Sequence, residues 1–373
     1  MHKGNQDVFY RMVEAAGRDR LAGIVAMSPE NVAYALGFPV PSQEPLRWRH
    51  AAVAVAADGR VAVLCVDMEE TTVRSQIPGA DVYVWQEFAF NAVEVFATML
   101  RDLGMDRGQV GIELEYLPAQ DFLKLRNELP SAELIPADRT LNRLRQIKTP
   151  REIELIRELS RKTDRAIAHA FASVAPGDTE LQLAGAAVTS LYEQGVERER
   201  GMVTASGDRS HFPNVRATDR RLGDGDLIRL ELFGVSRGYH SGICRSGVVG
   251  TPSDEAKRVW DVLVDCRRRV LEVLTPGVKA QEVYSAYIER FSVLGYAPIS
   301  FVGHGIGVFL HEDPYLGADD ETVIEEGMVF GVEPLLYLPG QFGLQIKDTV
   351  YVGPNGAEVL SDVMDAEELV SVR

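Results

Sequence analysis

Five residues in the second half of this chain stand in settings suited to proton transfer: His211, Glu231, His304, His311 and Glu333. Between residues 303 and 334 the chain reads GHGIGVFLHEDPYLGADDETVIEEGMVFGVEP, in which Gly303, Gly305 and Gly307 surround His304. Glycines at that density let backbone come close to a ligand or another strand, and they place His304 in a tight, permissive turn. Glu333 precedes Pro334 in the apolar run VFGVEP, and Glu231 lies in DLIRLELF, so each carboxylate needs a partner or a raised pKa. His211, in SHFPN, is suited to shuttle a proton because imidazole titrates near neutrality. A buried Glu beside such a His can act in two ways: it attacks an electrophilic carbon itself, or it deprotonates a water held against that carbon. His304 and His311 would orient the substrate and steady developing charge, with Glu333 gripping a cationic nitrogen.

Two domains are expected to position these groups. Residues 1–146 read as a small α/β domain, with LAGIVAM as a strand and a helix opened by Ser28 and Pro29. AAVAVAADGRVAVLCV reads as a hairpin turning at Asp58 and Gly59. Thr149 and Pro150 start a helix on which Ile153, Ile156, Leu159 and Thr163 recur at helical spacing. Residues 147–373 then mix helices at TELQLAGAAVTSLYEQG, SDEAKRVWDVLVDCRRRVLEVL and QEVYSAYIERFSVLG with strands at DLIRLELFGV, GMVFGVEPLLYL and GLQIKDTVYV, an α+β pattern.

The 373 residues are 46% hydrophobic and 25% charged, an ordinary globular composition with length for two domains. A formal charge of -16 disfavours nucleic acid and anionic membrane as partners. No apolar run reaches a membrane span and no leader-like segment follows Met1, so the cytoplasm is the expected location. Cys65, Cys244 and Cys266 are scattered and imply neither disulfides nor a zinc knuckle.

The 303–334 frame resembles that of the M24, or pita-bread, hydrolases: aminopeptidase P, prolidase, methionine aminopeptidase, creatinase and ectoine hydrolase. ENVAYALGF and RQIKTPREIELIR extend the resemblance to both domains. It implies a C-terminal pita-bread domain preceded by a small creatinase N-terminal-like domain, and a homodimer. Peptidase members carry two metals on two Asp, one His and two Glu. At those positions this chain has Glu231, Gly242, His304, Glu333 and Lys347. Oxygen-ligated metals need their carboxylates, and an ammonium can fill a cation's space. The site is therefore expected to hold no cofactor, with a single divalent metal on Glu231, His304 and Glu333 as the alternative.

At the turn ELFGVSRGYHSGICRS the match to ectoine hydrolase is closer than to creatinase: Glu231, Gly234, Tyr239, His240 and Arg245 fit the former's pattern. The resemblance thus implies catalytic Glu231, His211, Glu333, His304 and His311, and substrate-binding Tyr239, His240, Lys347 and Arg49. Arg49, in RWRH, would take a substrate carboxylate through its fork, or sit in a solvated charged loop. The expected activity is hydrolysis of a C–N bond in a small zwitterionic amidine or amide. Alternatives are a metal-dependent Xaa-Pro aminopeptidase or dipeptidase with a reduced metal site, and a pita-bread protein that binds without turnover.

Overall fold

A computed structural model describes residues 6–372, which divide between Arg145 and Gln146 into two units. In the first, six strands form one sheet: β1 (Gly23–Ala26), β2 (Ala52–Ala56), β3 (Val61–Val66), β4 (Asp81–Trp85), β5 (Gly108–Ile112) and β6 (Ala132–Pro136), in the order β4-β3-β2-β1-β5-β6. β2 pairs antiparallel with β1 and β3, and the remaining pairs are parallel. The hairpin at Asp58–Gly59 forms as its sequence predicts, because Gly59 takes φ +89, where a Cβ would be strained. Helices α1 (Gln6–Asp19), α2 (Pro29–Leu36), α3 (Glu70–Gln76), α4 (Ala92–Asp102), α5 (Ala119–Glu128) and α6 (Asp138–Gln146) accompany the sheet. Ser28 caps α2 by accepting from the Asn31 amide. The core runs through Val25, Ala54, Leu64, Phe96, Leu100 and Val110, so the strands are apolar on successive residues.

The second unit begins with α7 (Pro150–Ala172), closed at its start by a reciprocal capping box between Thr149 and Glu152. Ile153, Ile156, Leu159 and Thr163 form its buried face, the stripe their spacing predicts. α8 (Glu180–Glu193) follows, then β7 (Arg198–Ser206), β8 (Leu227–Ser236), β9 (Tyr239–His240) and β10 (Ile243–Val249). After α9 (Asp254–Val273) and α10 (Ala280–Phe291) come β11 (Phe301–Gly305), β12 (Glu312–Gly317), β13 (Val329–Val332), β14 (Leu335–Leu338), β15 (Phe342–Gln345), β16 (Asp348–Gly353), β17 (Gly356–Val359) and β18 (Val370–Val372).

Two sheets and a hairpin carry this unit: β18-β10-β8-β7 with β9 beside β8, then β12-β11-β13-β16-β17, then the pair β14-β15. One apolar cluster, including Trp260, Tyr287, Phe330 and Ile346, packs α9 and α10 against the second sheet, and another packs α7 and α8 against the first. The segments GMVFGVEPLLYL and GLQIKDTVYV are each interrupted rather than continuous strands. The first breaks at Glu333–Pro334 and the second at Ile346–Lys347. Lys347 leaves the strand path to bond through both backbone groups with Cys244 of β10, its N–H and C=O each at 3.1 Å. That bridge ties the two sheets together at the site.

Candidate active site

Four ionisable side chains converge where the sheets meet. Glu231 comes from the middle of β8, opposite Cys244, and Lys347 from the β15–β16 break. His304 lies in β11, with Tyr315 and Gly331 as its cross-strand neighbours. Glu333 follows β13, its amide donating to Val302 at 2.8 Å. His304 is thus in a strand rather than in the turn its glycines suggest. The glycines serve strand approach instead: a Cβ at Gly303 would lie 2.7 Å from the Gly331 carbonyl oxygen, and one at Gly331 3.2 Å from the His304 ring.

Lys347 is only 1% exposed, and its Nζ stands 3.0 Å from Glu231 Oε1 and 3.2 Å from Glu333 Oε2. Burial would lower the lysine's pKa, but Glu333 and then Glu231 outweigh it and hold the ammonium charged above its usual range. Burial would likewise raise Glu333, yet Lys347 and His304 bring it down to about 2. Glu333 Oε2 also accepts from Gln345 Nε2 at 3.1 Å, while Oε1 faces His304 Nε2 at 3.3 Å without hydrogen-bond alignment. The other ring nitrogen of His304 lies 2.9 Å from the Gly305 carbonyl, to which it donates.

His311 stacks on His304 with centroids 3.6 Å apart and planes within 10°. Burial of its inner face, with His304 and Lys347 nearby, lowers its pKa to about 4. Tyr315 and Phe301 stand edge to face beside the pair at 5.6 Å. Glu231, Glu333, His304, His311 and Lys347 are therefore neighbours, although 116 residues separate Glu231 from Lys347.

The other expected site residues have partners outside this cluster. His211 ends a short 3-10 turn, its ring against Phe212 and its Nδ1 on the Asp208 carbonyl; no hydrogen bond or ion pair joins it to the four-residue centre among the described residues. Tyr239 donates its hydroxyl to Glu152 Oε1 at 2.7 Å, bracing the start of α7. His240, expected to bind substrate, is 3% exposed under Gly307, and burial lowers its pKa to about 4. Arg49, in the first unit, is held by both oxygens of Glu87 at 2.8 and 2.9 Å, a fork already engaged.

Several supporting residues lie outside the expected site set. Arg245 ion-pairs with Asp164 at 3.1 Å and Asp348 at 2.9 Å and donates to the Lys347 carbonyl at 2.9 Å, so it fixes the backbone from which the ammonium projects. Arg267 completes this group on Asp348. Glu180, fully buried, accepts from the amides and hydroxyls of Ser206 and Thr218 and from Arg209, which pins both ends of the segment carrying His211. Cys244 is buried beside Glu231, and burial first, then that carboxylate, raises its thiol well above the usual range; this does not suit a nucleophile.

Residues 154–354 match the family described as Metallopeptidase family M24, and residues 10–147 match the Creatinase/Prolidase N-terminal domain. An Xaa-Pro dipeptidase of Pyrococcus furiosus is 34% identical over 257 residues, 68% of this chain and 73% of that protein. Among solved structures, an Xaa-Pro dipeptidase from Bacillus anthracis aligns with a TM-score of 0.86 at 25% identity, covering 98% of this chain and 99% of that one. A prolidase from Pyrococcus furiosus aligns at 0.81 and 26% identity, covering 95% and 100%.

These matches overturn the expectation of a site without a cofactor, because the family is one of metallopeptidases and the relatives are its dipeptidases. The side chains of this chain are a poor fit to a pair of divalent ions. Lys347 places an ammonium against both carboxylates, and a Cβ at Gly242 would already lie 3.3 Å from Lys347 Cε. No group of three or more His, Cys, Asp or Glu able to hold a metal ion occurs among the described residues. His304 Nε2 is buried without a hydrogen-bond partner and is a ligand atom still open. With the family matched over more than half of its length and both domains in order, the chain belongs to metallopeptidase family M24.

Proposed function

We propose that the protein hydrolyses the C–N bond of a small peptide, with Xaa-Pro dipeptides as the substrate class. The observation that carries this reading is its 34% identity to an Xaa-Pro dipeptidase across 68% of the chain, together with a match to family M24 over residues 154–354, which include the 231–347 cluster. Glu231 is the base. Lys347 occupies its Oε1, and Oε2 engages no donor among the described residues. Glu231 takes a proton from the attacking water while the water oxygen bonds to the substrate carbonyl carbon. The C–N bond then breaks as Glu231 passes that proton to the leaving nitrogen, which regenerates the base and releases two amino acids. Lys347 has a third N–H with which to steady the developing oxyanion. His311, neutral beside His304 and lying in the aromatic corner of Phe301 and Tyr315, offers an apolar face to a ring-bearing residue.

The test is release of free proline from a panel of Xaa-Pro dipeptides by the purified chain, with and without added divalent cations. Proline release supports the reading. Its absence, with turnover of a small zwitterionic amide or amidine instead, transfers the site to that substrate class, which the Lys347 ion triad favours as a second reading.

A homodimer belongs to the same proposal. Trp48, Phe88 and Phe90 are exposed around the Arg49–Glu87 pair, an apolar aromatic patch of the kind interfaces use. Sedimentation at micromolar concentration should give twice 41.1 kDa, and a species of 41.1 kDa would contradict it.

A further inference from the structure

Arg229 is fully buried on β8, two residues before Glu231 and so on the same face of the strand. No carboxylate lies within ion-pair distance of it among the described residues. A buried guanidinium without a counter-charge is costly unless its donors are satisfied. Here neutral oxygens take the donors of its two terminal nitrogens, the Tyr337 hydroxyl, Gln345 Oε1 at 3.2 Å, the Phe212 carbonyl and the Pro213 carbonyl at 2.9 Å, while Nε is left without a partner. The guanidinium also lies over the Tyr337 ring, 4.6 Å from its centroid.

This set of contacts has a directional result. A side-chain amide has one accepting and one donating end, and Arg229 takes the accepting end of Gln345. The amide group must then turn its Nε2 to Glu333 Oε2, where it stands at 3.1 Å. With Oε2 occupied by Gln345 and Lys347, Glu333 presents Oε1 to His304. The same guanidinium holds the two carbonyls that follow His211. One cation therefore sets the orientation of Glu333 and anchors the His211 segment.

We propose that Arg229 is a positioning residue for the active site, acting on Glu333 through Gln345 while it also holds the backbone of Phe212 and Pro213. The inference rests on the reading of the Glu231, Lys347 and Glu333 cluster as the centre of a hydrolase.

Three variants test it: Arg229→Ala, Arg229→Lys and Gln345→Met. In Arg229→Ala, kcat should fall by about 10²-fold with KM changed less than about threefold, since misplacement rather than lost binding is the defect. Guanidinium ion at about 10 mM should restore kcat at least about tenfold, a rescue that a general packing defect would not show. If Arg229→Ala does not fold, Arg229→Lys and Gln345→Met carry the test, each expected to lose at least about tenfold in kcat. Retention of kcat within about twofold in both overturns the proposal. A crystal structure of Arg229→Lys supplies the reading independent of turnover. If the native chain cleaves none of the substrates offered, the functional reading fails, and the structure alone decides: a Gln345 amide swung away from Glu333 supports positioning, and an unmoved amide overturns it.

Discussion

Lys347 Nζ lies 3.0 Å from Glu231 Oε1, a buried ion pair between the middle of β8 and the break that separates β15 from β16. Glu333 shares the ammonium at 3.2 Å, so one cation faces two carboxylates. Removing one partner of a buried pair leaves an uncompensated charge, which is far worse than replacing the whole pair.

Lys347→Met should therefore destabilise the protein by about 3–5 kcal/mol, the range for breaking a buried ion pair. Urea unfolding of native and variant chains measures it. A loss under about 1 kcal/mol would mean that the carboxylates find other partners or take up a proton at little cost.

Gly242→Asp combined with Lys347→Glu should raise affinity for Mn²⁺ well beyond either single change. A side chain at 242 meets Lys347 Cε at 3.3 Å, so the aspartate needs the lysine gone, and the two changes couple as neighbours do. Isothermal titration with Mn²⁺ reads the affinities. Equal affinity in the native chain and the double variant would show that these positions do not address the same cation.

Acid sensitivity should trace in part to His240, whose folded pKa is held at about 4 by burial first, against an ordinary 6.5. The folded state prefers the neutral ring. Its contribution to stability is present above pH 6.5, is lost as pH falls from about 6.5 towards about 4, and stays constant below. The full loss is about 3 kcal/mol. His240→Phe, which keeps a ring and removes the titration, should flatten this part of the profile when unfolding free energies at pH 7 and pH 4.5 are compared. A variant as acid-sensitive as the native chain would place the titration elsewhere.

Much of the scaffold can be read from local rules. Thr149–Pro150 and Ser28–Pro29 start helices because a hydroxyl cap and a proline at the first turn satisfy what the backbone there lacks, and Asp58–Gly59 turns a hairpin because glycine takes the positive φ. Glu231, His304, Glu333 and Lys347 come together in the sequence through the resemblance of their motifs to one family, whereas the rule that buried polar groups must find partners says only that each carboxylate needs one. What fails is whatever depends on tertiary direction. Lys347 looks like one residue of a continuous strand over 343–352, and only the Cys244 bridge takes it into the centre. His240 reads as a substrate-binding or exposed loop residue, yet it lies in β9 and its side chain packs beneath Gly307. Arg229 sits in DLIRLELF like an outward-facing strand cation, and nothing local says that Tyr337 and Gln345 will cover it.

Turnover by Glu231→Gln tests the proposed chemistry most directly. The substitution keeps the shape of the side chain and its hydrogen-bonding reach while removing the charge that accepts the proton. With native enzyme and variant assayed side by side for proline release from an Xaa-Pro dipeptide, the variant should lose at least about 10³-fold in kcat with its thermal unfolding still cooperative. A Glu231→Gln chain that releases proline at a near-native rate would contradict the account and remove Glu231 from the reaction.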